Sequence, residues 1–247
     1  MNLNTLRLPF SCYSLWALLL ISPLSIAQDL DRVDAIYSIE YNGNSGQGKN
    51  HLRIQRDQNH YTVNFEVDHL LSNAQQQAHF ELNNCKVTPL SYRSTAKAPF
   101  KKEQKQQLDF DWVTHQAHYS STDEQKDFAL APILYDPLSF FFEARCELMA
   151  GQHEFSYPLI YKGRQKTHTY QVVGTEQINT GMGTLEALVV ERQRSNPKRQ
   201  TRLYVAPELG YLPIKIEHQE SRLLNFSAVL DHMEYQLVAP KKDEGQN

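Results

Sequence analysis

The chain has 247 residues and a formal net charge of −3, with 40% hydrophobic and 11% aromatic residues. Its sequence pI is near 6.4, which excludes the basic excess of a general nucleic-acid binder. The apolar content is enough for a core, and ten glycines with eleven prolines are too few for a collagenous or low-complexity chain.

The chain opens with an expected secretory signal over residues 1–27. Arg7 gives a weak positive start, an apolar run covers Tyr13 to Leu24, and Ser25-Ile26-Ala27 fits a small-residue cleavage site. The run is shorter than the roughly 20 apolar residues of a membrane span, and no later segment is long and apolar enough to be one. Cys12 precedes the run, so it is not the cysteine of a lipoprotein signal. The expected location is the periplasm of a Gram-negative-type envelope.

From residue 33 onward the dominant pattern has period two, the mark of half-buried strands. It runs through Val33–Tyr41, Tyr61–Val67, Ala78–Leu82 and Leu108–Trp112, then Phe155–Tyr161, Leu185–Val189, Leu203–Val205 and Leu212–Ile216. Leu223–Leu237 alternates less cleanly, as a bulged strand does. Turn residues stand between these runs at 42–46, 57–59, 162–164, 181–183 and 207–210. The fold class expected is mainly β: ten to twelve strands in an antiparallel meander, forming a curved half-barrel or barrel.

One segment, 136–149, breaks the pattern. Asp136 suits a helix cap, Pro137 the first helical position, and Gly151 the stop. Leu138, Phe141, Phe142 and Leu148 recur at helical spacing and are expected to bury against the sheet. Residues 28–238 read as a single domain, and Ala239–Asn247 as a polar tail. Cys85 and Cys146 are the cysteines left after the signal. An even count in an exported chain fits one disulfide, stapling the helix to a strand, with two free thiols as the alternative.

Tyr135-Asp136-Pro137-Leu138-Ser139-Phe140 with Arg145, Gly183–Ala187 with Val189–Arg192, and Tyr204–Ile216 together resemble the motifs of the DUF3108 family of exported bacterial proteins. Tyr37–Tyr41 and Gly174-Thr175-Glu176 fit as well. The resemblance covers roughly residues 33 to 237. One departure is Tyr204, where that family's hairpin often begins with Trp. The resemblance implies an exported antiparallel β domain in the style of lipocalin-like or lipoprotein-carrier half-barrels. It implies no particular activity.

The search for chemistry gives no catalytic constellation. His115 and His118 form H-x-x-H, which a strand places on opposite faces, and the other histidines are scattered, so no metal or cofactor is expected. Ser139 has no evident base. Asp109 with Asp111, and Glu217 with Gln219, share strand faces without a defined separation. Two basic stretches, Lys97–Lys105 around Phe100 and Arg192–Arg202 around Pro197, are expected on hairpin tips. The leading expectation is a non-enzymatic barrel that binds a lipid or other amphipathic envelope component. Asp136, Ser139, Phe141, Phe142 and Arg145 are the candidate ligand-binding residues. An envelope protein–protein interaction module, docking through the basic tips, and a hydrolase acting on glycan or lipid stay open as alternatives.

Overall fold

The computed structural model describes residues 29–238 apart from positions 42–43, 70–71, 99, 131–132, 197 and 222–223. The expected signal and the polar tail lie outside the described residues, as does the centre of the first turn. The strands are β1 (Leu30–Tyr41), β2 (Asn44–Asp57), β3 (His60–His69), β4 (Ser72–Asn83), β5 (Lys86–Lys97), β6 (Gln104–Asp111), β7 (Gln116–Ser121) and β8 (Gln125–Ala129). After helix α1 (Phe140–Met149) come β9 (Glu154–Tyr161), β10 (Arg164–Thr180), β11 (Gly183–Gln193), β12 (Gln200–Ala206), β13 (Leu212–Ser221) and β14 (Leu224–Leu237).

All fourteen strands form one antiparallel sheet in the order β8-β7-β6-β5-β4-β3-β2-β1-β14-β13-β12-β11-β10-β9. The count exceeds the ten to twelve expected, because β2, β5, β7, β8 and β10 carry few apolar residues and escape the alternation. The first and last strands pair at the middle of the sheet, with Tyr37 opposite Leu230. The register slips there between Ile36 and Tyr37, placing the expected bulge at Asp231. Gly181 in the β10–β11 turn sits on that bulge: a Cβ there would lie 2.1 Å from the Asp231 carbonyl oxygen. The distal half of the β10–β11 hairpin therefore folds back over the outer face of the sheet, where Ile178, Val189 and Tyr204 are buried.

β8 and β9 are the free edges, and they form no ladder with each other among the described residues. The gap is bridged by the chain between them. Tyr135 pairs in parallel with Leu159, its N–H donating to Pro158 O at 2.9 Å while Ile160 N–H donates to Tyr135 O at 2.9 Å. Lys126 Nζ also reaches Gly163 O at 3.2 Å, from the β7–β8 side to the β9–β10 turn. The result is a barrel with a seam.

Alternating strand direction sorts the turns to two ends. α1 lies across the end that carries the β2–β3, β4–β5 and β12–β13 turns. Its Phe142 ring packs on Tyr61 and Phe80, 5.3 and 4.7 Å between centroids. The helix starts later than the sequence suggests. Asp136 does not cap it: Asp136 Oδ1 accepts the N–H groups of Leu138 (2.8 Å) and Ser139 (2.9 Å), closing a tight turn that Pro137 suits equally well. Ser139 holds the N-cap position without a side-chain bond. Gly151, at φ 77°, ends the helix as expected.

Two clasps fix α1. On one side Cys146 is bonded to Cys85, with Cα atoms 5.8 Å apart; Cys85 lies in the β4–β5 turn at φ 62° rather than in a strand. Beside it the buried Glu143 accepts from Lys86 Nζ (2.6 Å), Val87 N–H (3.2 Å) and Tyr135 OH (3.0 Å). On the other side Arg145, 1% exposed, donates from Nε to Gly210 O at 2.5 Å. Gly210 has φ 64°, and a Cβ there would approach the Arg145 guanidinium to 3.2 Å.

Two outcomes follow for stability. Replacing Cys85 and Cys146 by serine removes a closed loop with a sequence separation of 61 residues and lowers unfolding free energy by about 4 kcal/mol in the chain-entropy picture, read by urea titration. Gly210→Ala costs about 1–2 kcal/mol through its left-handed backbone and the crowded guanidinium. An unchanged urea midpoint would show that the turn can relax away from Arg145.

Candidate functional site: the lumen and its mouth

Inward-facing positions of a curved sheet converge, and here they enclose a cavity of about 380 Å³. Its floor is α1 and the approach to it, through Leu138, Phe140, Phe141 and Phe142. Its wall is aliphatic and aromatic, including Tyr37, Leu52, Ile54 and Val63 from one side of the sheet and Leu203 and Ile216 from the other. Tyr37 OH is not free to act as an acid or base: it donates to Pro213 O at 2.8 Å, and burial raises its pKa.

The end opposite α1 is different in character. Tyr161, His168, Arg192, Thr201 and Gln76 line the cavity there. A second cavity of about 170 Å³ shares Gln76, Pro137 and Tyr161 with it and extends towards Lys162. His168 is 4% exposed, and its Nε2 is buried with no hydrogen-bond partner. The ring stands 5.9 Å from that of Tyr161 and 6.4 Å from that of Tyr170. Burial, followed by the positive charges of Arg192, Arg194 and Lys166, drives its pKa down to about 3, so the imidazole is neutral at ordinary pH.

Arg192 pairs across the β10–β11 ladder with Tyr170, which puts it on the inner face. Its Nε is buried without a hydrogen-bond partner, and among the described residues no carboxylate lies within ion-pair distance of it. Its sequence neighbour Glu191 faces out and is taken by Arg202, 2.9 Å from Nε. Arg194 donates to Thr201 Oγ1 at 2.9 Å, and Thr201 meets His218 Nδ1 at 2.9 Å.

The sequence candidates divide. Phe141 and Phe142 line the lumen. Asp136, Ser139 and Arg145 are not among the lining residues; they are built into the packing around α1. Asp136 is fully buried, and burial raises its carboxyl pKa. The basic stretch at 192–202 is not wholly a hairpin tip, since Arg192 points into the barrel. The other one does carry an exposed Phe100 among lysines. Of the paired acids, Asp111 Oδ1 caps its turn through Val113 and Thr114 N–H, while Asp109 stands 3.8 Å from Arg93. Glu217 is held by Tyr204 OH at 2.7 Å and Lys215 Nζ at 2.5 Å. It borders a separate polar groove of about 300 Å³ shared with Glu40 and Arg202.

Reading the sequence missed His168 and the inward setting of Arg192. A signal for both was present in strand parity: His168, Tyr170 and Val172 share one face, as do Val190 and Arg192.

A family model described as "Protein of unknown function (DUF3108)" matches residues 36–222. The chain belongs to the DUF3108 family. The match takes in the strands from β1 through β13 and the helix, so the lumen and both clasps fall within the DUF3108 domain. Among curated proteins none matches this sequence. Among solved structures the fold is similar to the crystal structure of a β-barrel-like protein of domain of unknown function DUF1849 from Brucella abortus. The TM-score is 0.57 at 13% identity, covering 84% of this chain and 99% of that one. The likeness extends to the fold. No helix among the described residues of this DUF3108 chain is long and apolar enough to cross a membrane.

The neutral His168 sets a pH dependence. Its folded pKa lies below its ordinary 6.5, so the unfolded chain binds the extra proton more readily. Stability is then complete above pH 6.5 and falls as pH drops from there towards about 3. His168→Gln should flatten the fall in Tm between these limits; an unaltered profile would show that His168 protonates freely in the fold.

Proposed function

We propose that this DUF3108 protein is an exported, non-enzymatic binding protein that holds one amphipathic envelope molecule, a lipid or lipid-like compound, in its lumen. The observation that carries the reading is the apolar cavity of about 380 Å³, floored by α1 and polar only at its opposite end. Its size falls within the range of small-ligand sites, and apolar walls with few placed polar groups are their usual chemistry. The lining contains no Asp or Glu among the described residues, so it offers no carboxylate for acid–base work on a bound substrate. Export is supported by the Cys85–Cys146 bond, since such bonds persist in oxidising compartments, and by the signal-like first 27 residues.

The interaction-module reading has its own observation. Phe100 is fully exposed at a left-handed position, φ 60°, between Lys97 and Lys101 on the β5–β6 turn. That turn lies at the mouth end. Docking and cargo exchange would then share one face.

The test is native mass spectrometry of the mature protein with monomyristoylglycerol. One bound equivalent is expected for the wild type. Leu203→Trp, which fills the lumen from β12, should abolish binding with the Tm retained. Binding that survives the filled lumen, or none by the wild type to this or to an anionic ligand of the same tail, would overturn the reading.

A further inference from the structure

The lumen is neutral almost throughout, which makes the one charged residue lining it among the described residues informative. Arg192 is half-buried at the mouth end. Its Nε has no hydrogen-bond partner, no carboxylate among the described residues neutralises it, and Arg194 adds a second positive charge beside it. Taking a guanidinium partly out of water without a counter-charge is costly. The surrounding sheet does have acids, but they are spent elsewhere: Glu191 on Arg202, Glu220 on Arg199 and His218. His168, 4% exposed and lining the same end of the cavity, presents a buried and unpartnered Nε2.

We propose that the cargo carries an anionic headgroup, phosphate or carboxylate, and that Arg192 binds it at the mouth with His168 Nε2 and Arg194 beside it. The proposal rests on the lumen reading above and adds the sign of the cargo's charge and its direction of entry. The headgroup oxygens supply the counter-charge that Arg192 lacks. Neutral His168, protonated on Nε2, donates to the same oxygens. The apolar tail then lies between Leu52 and Ile54 on one side and Leu203 on the other, reaching Phe141 on α1. An Arg at this position suits such a group because its planar donors match two oxygens at once.

The experiment is isothermal titration of the disulfide-bonded mature protein with three ligands of one tail length: monomyristoylglycerol, myristate and myristoyl-lysophosphatidylglycerol. The wild type should bind at least one anionic ligand about tenfold or more tighter than the neutral one, the scale of a hydrogen-bonded charge. The better of the two anions identifies carboxylate or phosphate. Arg192→Gln should reduce that preference to within about twofold, and Arg192→Lys should restore part of it. Equal wild-type affinity for neutral and anionic ligands, or a preference that survives Arg192→Gln, would overturn the anionic site and leave the lumen reading intact. Failure of all three to bind would overturn the lumen reading itself.

Discussion

A sheet of fourteen strands curls around more space than its own side chains can fill. Barrel diameter grows with strand number, and about eight strands already exhaust what inward residues occupy. This chain meets the excess with a helix. α1 lies across one end, and its two buried charges decide how it sits. Glu143 finds three donors on the β4–β5 side and before the helix, and Arg145 finds the Gly210 carbonyl on the β12–β13 turn. The two turns lie on opposite halves of the sheet, separated in strand order by β1 and β14. Breaking either set weakens the compensation of a buried ion, which is far more costly than losing an exposed pair. The helix is therefore both a plug and a strut, and the volume it leaves unfilled is the lumen.

The same device explains the asymmetry of the barrel. At the α1 end the interior is crowded with Phe142, Tyr61 and Phe80. At the other end the cavity is lined by Gln76, Tyr161, His168, Arg192 and Thr201, side chains that are polar or basic. Apolar depth with a polar entrance is a property of the packing. It follows from placing one short helix at one end and from the inner-face parity of β10 and β11.

Much of this was legible in the sequence, for identifiable reasons. Strands with clean alternation, such as Tyr61–Val67 and Phe155–Tyr161, are legible because their apolar residues all fall on one face, buried at Tyr61, Val63, Phe155, Tyr157 and Leu159. β2 and β10 did not, because their inward positions include Asn50 and His168, which alternation reads as polar. The helix was visible from Phe141, Phe142 and Leu148, but its start was not. Asp136 and Pro137 favour a cap and a tight turn alike, and tertiary contacts of Tyr135 with β9 select the turn. The disulfide could be named from cysteine count, whereas its anchorage in a turn required the register of β4 against β5. Arg192 reads as part of a basic run; its parity with Val190 is the signal that it faces inward, and the ladder with Tyr170 fixes it there.

The position of the chain ends in the sheet has a temporal consequence. β1 lies between β2 and β14, so its second edge stays unpaired until residues 224–237 exist. Tyr37 and Leu230, which face each other, are separated by nearly the whole folded chain, and closing so long a loop makes folding slow. A chain made from its N-terminus cannot complete the centre of its sheet until the last strand has emerged. Until then the meander β1–β8 waits with an open hydrogen-bonding edge, the kind that pairs with other chains. Assembly of the barrel and arrival of β14 are thus one event, which makes that strand a checkpoint on completion of the sheet.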